Sequence, residues 1–373
     1  MKIGGPALFF VRAVTEDEVA GAFEYARSEG LELFVLGGGS NILVSDEGFN
    51  GLVLQVALKG IMSEPPEVAG GLTRKSVNLG RTSDTNIQPP AIAGGSDCRV
   101  TAQAGEDWDG FVRHCVGLDL AGIECLSGIP GSVGGTPVQN VGAYGQEVSE
   151  TIVSVRCFDR RSGSIVELSK GDCGFGYRTS IFNTVERDRY IVLSVTYAFT
   201  KGGPPKIAYK DLKEHFAGRE PTLGETRQAV LQIRAAKSMV IDPDDPNARS
   251  AGSFFKNPIV TREILAEIGA RLKIENVPHF DVDAEHVKIP AAWMIEIAGF
   301  YKGFALGNAG ISTRHSLAIV NRGGASAKDI LTLKDRIASD VKAKFGIELL
   351  PEPIFVGFSK LPSLRRRGGT HFG

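Results

Sequence analysis

Neither glycine-rich stretch of this 373-residue chain is a G-x-G-x-x-G dinucleotide fingerprint or a G-x-x-x-x-G-K-[ST] phosphate loop. Cysteine is scarce. The five present (Cys98, Cys115, Cys125, Cys157, Cys173) form no C-x-x-C pair and are odd in number, which argues against a disulfide framework or a thiolate metal cluster. The six histidines show no ligand-like spacing, and the adjacent His114 and Cys115 would point to different faces of a helix, so no metal is expected. No apolar run approaches the ~20 residues needed to cross a bilayer. The N-terminus lacks a basic-then-apolar leader, so a cytoplasmic protein is expected. A net charge of −1 gives no global attraction to nucleic acid or anionic membrane. No internal repeat is visible, and two or three domains suit this length.

Against these absences stand clear helix and strand signals. Thr15-Glu16-Asp17-Glu18 forms a capping box, and Val19, Ala22, Phe23 and Ala26 mark one apolar helical face that Gly30 terminates. Leu31–Leu36 reads as a buried strand running into a glycine loop, and Leu52–Val56 as a second strand. Residues 63–97 carry four prolines, five glycines and no aromatic residue, which predicts a long insertion with little to bury. Beyond it come a strand at Arg99–Ala104, a helix burying Trp108, Phe111, Val112 and Cys115, and strands at Val153–Phe158, Ser164–Leu168 and Tyr190–Phe199. The run Phe175–Phe182 reads as a sheet edge. Gly202-Gly203-Pro204-Pro205 marks a domain junction. After it, helices near 225–237, 290–298 and 328–344 alternate with strands near 304–306, 316–320 and 353–358, a second α/β unit. The arginines 365–367 read as a frayed tail.

Five motifs bear on chemistry. Leu36-Gly37-Gly38-Gly39-Ser40-Asn41 offers a backbone nest and two polar side chains to a diphosphate, although a plain tight turn explains it equally well in isolation. A longer loop from Ser127 to Gly145 is fixed by Pro130 and Pro137 and adds Asn140 and Tyr144. Two such loops favour a large phosphate-bearing cofactor between them. Tyr177-Arg178-Thr179-Ser180 places a guanidinium suited to a carboxylate; alone, a surface ion pair is the commoner reading. Ser253, within Gly252-Ser253-Phe254-Phe255-Lys256-Asn257-Pro258, is either a structural cap or a proton donor in a dry pocket, and spacing leaves both open. Glu352, between Pro351 and Pro353, is either an exposed turn residue or a buried carboxyl whose raised pKa suits it to act near neutrality.

In this order the pieces resemble the UDP-N-acetylenolpyruvoylglucosamine reductases, over most of the chain from Gly4-Gly5-Pro6-Ala7 to Phe358. The resemblance implies a mixed α+β and α/β architecture: a two-lobed FAD-binding part of the vanillyl-alcohol-oxidase type (1–62 and 98–203, split by the insertion 63–97), a C-terminal α/β substrate domain (204–358) and a basic tail (359–373). It further implies NADPH-dependent, ping-pong reduction of UDP-N-acetylglucosamine enolpyruvate in cell-wall synthesis by a monomer. The family's catalytic arginine, serine and glutamate correspond to Arg178, Ser253 and Glu352. FAD contacts are implied for Gly37, Gly38, Gly39, Ser40, Asn41, Gly131, Gly134, Gly135, Asn140, Ala143, Tyr144 and Gly145, and substrate contacts for Tyr177, Tyr209, Lys237 and Asn257. Family members usually carry a further segment ahead of Gly4-Gly5-Pro6-Ala7, so the expectation is either a start placed too late or a missing strand with weakened flavin retention. The competing readings are another flavin oxidoreductase of the same fold, such as a sugar or alcohol oxidase, and a redox-inactive nucleotide-sugar-binding protein.

Overall fold

The computed structural model describes residues 1–64 and 97–358. The bulk of the expected insertion and the basic tail therefore lie outside the described residues. The insertion's ends are strand rather than loop. Ser63 and Glu64 close strand β5 (Ile61–Glu64), Asp97 opens β6 (Asp97–Gln103), and the two strands pair antiparallel.

The first lobe is a three-stranded parallel sheet in the order β1 (Ala7–Ala13), β4 (Phe49–Val56), β2 (Glu32–Leu36). Strand β1 was not assigned from the sequence, and it occupies the sheet edge ahead of helix α1 (Glu16–Ser28). The expected capping box is formed: the Thr15 hydroxyl accepts from the Glu18 N–H at 3.1 Å while the Glu18 carboxylate accepts from the Thr15 N–H at 3.3 Å. Val19, Ala22, Phe23 and Ala26 are the buried face of α1. Phe23 meets Phe158 edge-on with ring centroids 5.3 Å apart, and Glu16 accepts two hydrogen bonds from Arg156, so α1 joins this lobe to the next.

The second lobe is an antiparallel sheet built on β7 (Ile152–Asp159), β8 (Ser164–Ser169) and β9 (Tyr190–Lys201), in the order β8-β7-β9-β6-β5. Helix α2 (Trp108–Gly117) packs Trp108, Phe111, Val112 and Cys115 into its core, as the sequence pattern predicts. Phe111 stands 5.1 Å from the Tyr197 ring, and Tyr197 stacks on Phe199 at 5.7 Å. The Trp108 indole N–H donates to the Leu126 carbonyl at 3.1 Å, so aromatic packing fixes the entry to the second glycine loop. The run Phe175–Phe182, expected at a sheet edge, is instead a turn followed by a short 3₁₀ segment, Ile181–Asn183, capped by Ser180. The Ser180 hydroxyl accepts from the Phe182 N–H at 3.2 Å, a local bond that competes with a strand ladder.

The C-terminal part begins with helices α3 (Lys210–Phe216) and α4 (Leu223–Ala236). Two three-stranded antiparallel sheets follow, with helices α5 (Arg262–Leu272), α6 (Ala291–Ile297) and α7 (Ala327–Phe345) around one apolar core. Helix α7 buries Ile330, Leu333, Ile337, Val341 and Phe345, spaced three or four apart along one face. Helices α3 and α5 were not assigned from the sequence.

Two contacts lash this part to the first lobe. The last described strand, Ile354–Val356, pairs parallel with β3 (Ile42–Val44), directly after the first glycine loop. Asp46 then accepts from the Ala327 and Lys328 N–H groups at 2.7 and 3.2 Å, capping the N-terminus of α7 where its dipole favours an anion. Among the described residues no helix is long and apolar enough to cross a membrane.

Asp109 of α2 connects packing to the second glycine loop. It takes both guanidinium branches of Arg227 at 2.6 and 2.8 Å and also accepts from the Gly128 N–H at 2.6 Å. Burial alone would raise its pKa, but Arg227, the Gly128 N–H and Arg113 together hold it below 3.8. Asp109→Ala should cost about 2 kcal/mol in denaturant unfolding at neutral pH, because it strands a mostly buried Arg227. The depressed pKa places that stabilisation above pH 3.8, so the gap between variant and wild type should close as the pH falls below that value.

Candidate active site

The two glycine loops lie face to face. A Cβ on Gly37 would stand 2.9 Å from the Ser132 hydroxyl, and one on Gly38 would stand 2.6 Å from the Gly131 Cα. At Gly38 the obstacle is backbone, so no larger residue fits there while the loops stay this close. Gly131 itself has φ of +140°, a conformation that side chains disfavour. Between the loops is a cavity of about 240 Å³ lined also by Arg12, Lys59 and Asp107. Within it the Ser132 Oγ is buried with no hydrogen-bond partner. Two cations, an unpaired hydroxyl and bare backbone suit a phosphate-bearing group. Ser132, Arg12 and Lys59 were not singled out from the sequence, since nothing local marks them.

Several side chains of the expected cofactor contacts also have partners within the protein. Ser40 donates its hydroxyl to the Pro130 carbonyl at 2.8 Å, and the Asn41 amide donates to Gln139 Oε1 at 2.8 Å. Both side chains clamp one loop to the other. Asn140 is buried with φ of +43° and spends its amide on Glu147, the Gly176 carbonyl and the Ser149 N–H. Gly134 packs against Ala104 and donates its N–H to the Ala104 carbonyl at 2.9 Å, a scaffold contact. The Tyr144 ring meets Tyr209 edge-on at 5.4 Å and so joins the residues expected at the substrate. Gly39, Gly135, Ala143 and Gly145 remain in the two loops as expected.

The three residues expected to be catalytic come from segments that the fold brings alongside one another. Residues 253–256 run beside 350–352: the Glu352 N–H donates to the Phe254 carbonyl and the Lys256 N–H to the Leu350 carbonyl, both at 2.9 Å. This holds Ser253 and Glu352 on neighbouring segments joined by a bridge between Phe255 and Pro351. Arg178 reaches across from the 3₁₀ turn, its Nε 3.4 Å from Glu352 Oε1. The Arg178 backbone is left-handed, with φ of +54°, and its guanidinium donates to the Gly142 and Asn140 carbonyls at 2.5 and 3.4 Å. Lys256 Nζ donates to the Arg178 carbonyl at 3.3 Å.

The electrostatics follow from burial. Glu352 has a side chain only 16 % exposed, and its pKa is raised because desolvation outweighs the nearby Arg178 and Lys256 charges. Burial likewise lowers the pKa of Lys256, and Arg178 adds to that while Glu352 opposes it. Tyr177 lies between two cations, with Lys288 Nζ 4.4 Å and the Arg178 guanidinium carbon 5.4 Å from its ring centre.

A second cluster gathers the residues expected at the nucleotide. Lys237, at the C-terminal cap of α4, pairs with Asp211 at 2.6 Å. Burial opposes its charge, but the Asp211 hydrogen bond and charge hold its pKa above the ordinary value. Tyr209 caps the start of α3 next to it. Asn257 is partly committed elsewhere: its Oδ1 accepts from the Ala291 N–H at the start of α6, at 2.9 Å. His315 lies beside Ser253, with Nε2 3.5 Å from Oγ, and nothing in the sequence marked it. No group of three or more potential ligands among the described residues is placed to hold a metal ion.

Residues 7–78 and 91–169 match the FAD binding domain family, and residues 244–356 match the C-terminal domain of UDP-N-acetylenolpyruvoylglucosamine reductase. The chain is 42 % identical over 364 residues to the UDP-N-acetylenolpyruvoylglucosamine reductase of Thermobifida fusca, covering 95 % of this chain and 94 % of that one. It is 40 % identical over 366 residues to the enzyme of the same name from Streptomyces coelicolor, covering 95 % and 87 %. The solved UDP-N-acetylenolpyruvylglucosamine reductase of Thermus caldophilus shares the fold, with a TM-score of 0.59 at 24 % identity over 95 % of this chain and 94 % of that one.

The cavity beside the facing glycine loops fits the diphosphate of FAD on the grounds already given: the unpaired Ser132 hydroxyl, the two cations and the bare loop backbone. Gly38→Ala should therefore yield folded protein that has lost at least tenfold in FAD affinity, since a methyl group there collides with backbone that cannot swing aside. Flavin absorbance per mole of protein after gel filtration measures this.

Proposed function

The chain belongs to the UDP-N-acetylenolpyruvoylglucosamine reductase family, and from that premise we propose how its own residues carry out the reaction. It is an FAD-dependent oxidoreductase that reduces UDP-N-acetylglucosamine enolpyruvate to UDP-N-acetylmuramate in peptidoglycan synthesis, with NADPH as reductant. Bound FAD supplies the hydride chemistry: NADPH charges it, and the substrate's vinyl carbon receives the hydride.

The observation that carries the residue assignments is the convergence of Arg178, Glu352 and Ser253 from three distant stretches of chain. Arg178 presents a planar fork of the kind that pairs two oxygens of a carboxylate. Its task is to neutralise the substrate carboxylate as charge builds there. Glu352, held toward its protonated form by burial, donates a hydrogen bond to the same developing oxyanion. Both groups are fixed by their neighbours beforehand, so little reorganisation accompanies the charge shift. Ser253 gives its hydroxyl proton to the carbon bearing the ether oxygen, which is basic enough at close range to accept it. Water then restores the serine proton.

Lys237, Tyr209 and Tyr144 form the region assigned to the UDP diphosphate, with Asn257 and Tyr177 completing the substrate side. In the free protein Asp211 occupies Lys237, so binding a diphosphate exchanges one anion for another. The oxidase reading loses ground because it gives no role to an arginine, a buried glutamate and a serine assembled together.

Ser253→Ala should leave reduction of the flavin by NADPH within about threefold of wild type. Reoxidation by the enolpyruvyl substrate should slow by at least 10³-fold, which corresponds to about 4 kcal/mol of lost transition-state stabilisation. Anaerobic stopped-flow of the two half-reactions separates these effects, and an equal loss in both would remove Ser253 from the proton-donor role.

A further inference from the structure

Three backbone contacts fix the alignment of two segments in the C-terminal part. The Asn321 N–H donates to the Arg249 carbonyl at 3.0 Å, Ser250 bridges to Val320, and the Phe254 N–H donates to the Leu317 carbonyl at 2.8 Å. Residues 249–254 therefore run antiparallel to 317–321. In that register the turn ahead of Leu317 falls beside Ser253, and His315 occupies it. Its Nε2 lies 3.5 Å from the Ser253 hydroxyl, with the ring half-buried. The proximity is set by backbone pairing and not by a chance rotamer.

The surroundings determine the ring's charge. Lys237 and Arg234 face it from α4, Lys302 from the loop after α6, and Glu296 from α6 itself. Burial lowers its pKa to about 4, reinforced by the three cations and opposed only by Glu296. The imidazole is thus neutral at working pH, with one nitrogen carrying a proton and the other accepting.

Resting on the assignment of Ser253 as proton donor, we propose that His315 is a positioning residue for that step, donating a hydrogen bond from Nε2–H to the Ser253 oxygen. With one lone pair engaged, the hydroxyl points its own proton away from the ring and toward the substrate carbon. As the O–H bond breaks and the new C–H bond forms, negative charge collects on Oγ, and the same Nε2–H stabilises it. His315 keeps its proton throughout, and water replaces the one that Ser253 has lost. Donors already aimed at the atom where charge develops are the most effective kind.

The test is a double-mutant cycle on the FAD-loaded enzyme, following anaerobic reoxidation of the reduced flavin by the enolpyruvyl substrate in H₂O and D₂O. His315→Ala should slow reoxidation about 10- to 100-fold and enlarge its solvent isotope effect, as expected for loss of one preorganised donor. Reduction by NADPH in the same sample should stay near wild type, which controls for folding. His315→Gln, which keeps an N–H donor at a comparable reach, should recover most of the rate. In the Ser253→Ala background His315→Ala should change the rate by less than about threefold, because the two residues act as a unit. Equal slowing in both backgrounds, or no rescue by glutamine, would overturn the positioning role. Undiminished reoxidation in Ser253→Ala alone would instead overturn the donor assignment, and the inference with it.

Discussion

Everything at the site depends on one strand crossing. Ile354–Val356, near the end of the described chain, lies parallel to Ile42–Val44, which leaves the first glycine loop. This pairing delivers Glu352 to the cofactor lobe. The Asn41 amide completes it, donating to Gln139 Oε1 at 2.8 Å and to the Glu352 carbonyl at 3.3 Å. One side chain thereby ties the first loop, the second loop and the backbone of Glu352. Asp46, a few residues further on, caps α7 and holds the C-terminal core to the same edge. The packing is tight enough that a Cβ on Gly357 would fall 1.8 Å from the Gly48 carbonyl oxygen. The glycine at that point, φ of +76°, is required both by space and by backbone conformation.

This seam explains how charged groups can be partly desolvated without the structure coming apart. Glu352 and Arg178 hold each other at 3.4 Å, Lys256 stands close by, and the guanidinium has two carbonyls to satisfy it. Such a cluster is poor stabilising material, since desolvation offsets much of the Coulomb attraction. Its value is that a carboxyl kept toward neutrality and a fixed cation face one place. The left-handed backbone at Arg178 is a local cost of the same kind. Stability is supplied elsewhere, by the Trp108–Phe111–Tyr197–Phe199 aromatic core and the long apolar face of α7.

Local rules made much of the scaffold legible. The capping box at Thr15 and the apolar faces of α1 and α2 each concern residues a few positions apart, and the fold agrees with them. Strand β1 escaped because Leu8, Phe9 and Phe10 are all substantially exposed, which leaves no inside–outside alternation to read. The glycine motifs located the loops, but the uses of their polar side chains were invisible: Ser40 and Asn41 find partners 90 and 98 residues away. The three internal partners of the Asn140 amide were equally invisible. His315 carried no sequence signal, because its relation to Ser253 arises only from the register of two segments more than sixty residues apart.

The account stands most directly on the fate of electrons held by the cofactor. The FAD-loaded protein should be reduced anaerobically with NADPH, freed of excess reductant and mixed with UDP-N-acetylglucosamine enolpyruvate while flavin absorbance is followed. Rapid return of the oxidised flavin spectrum without oxygen, with formation of UDP-N-acetylmuramate, is the predicted result. A flavin that stays reduced until oxygen is admitted would contradict it and would favour an oxidase built on the same fold.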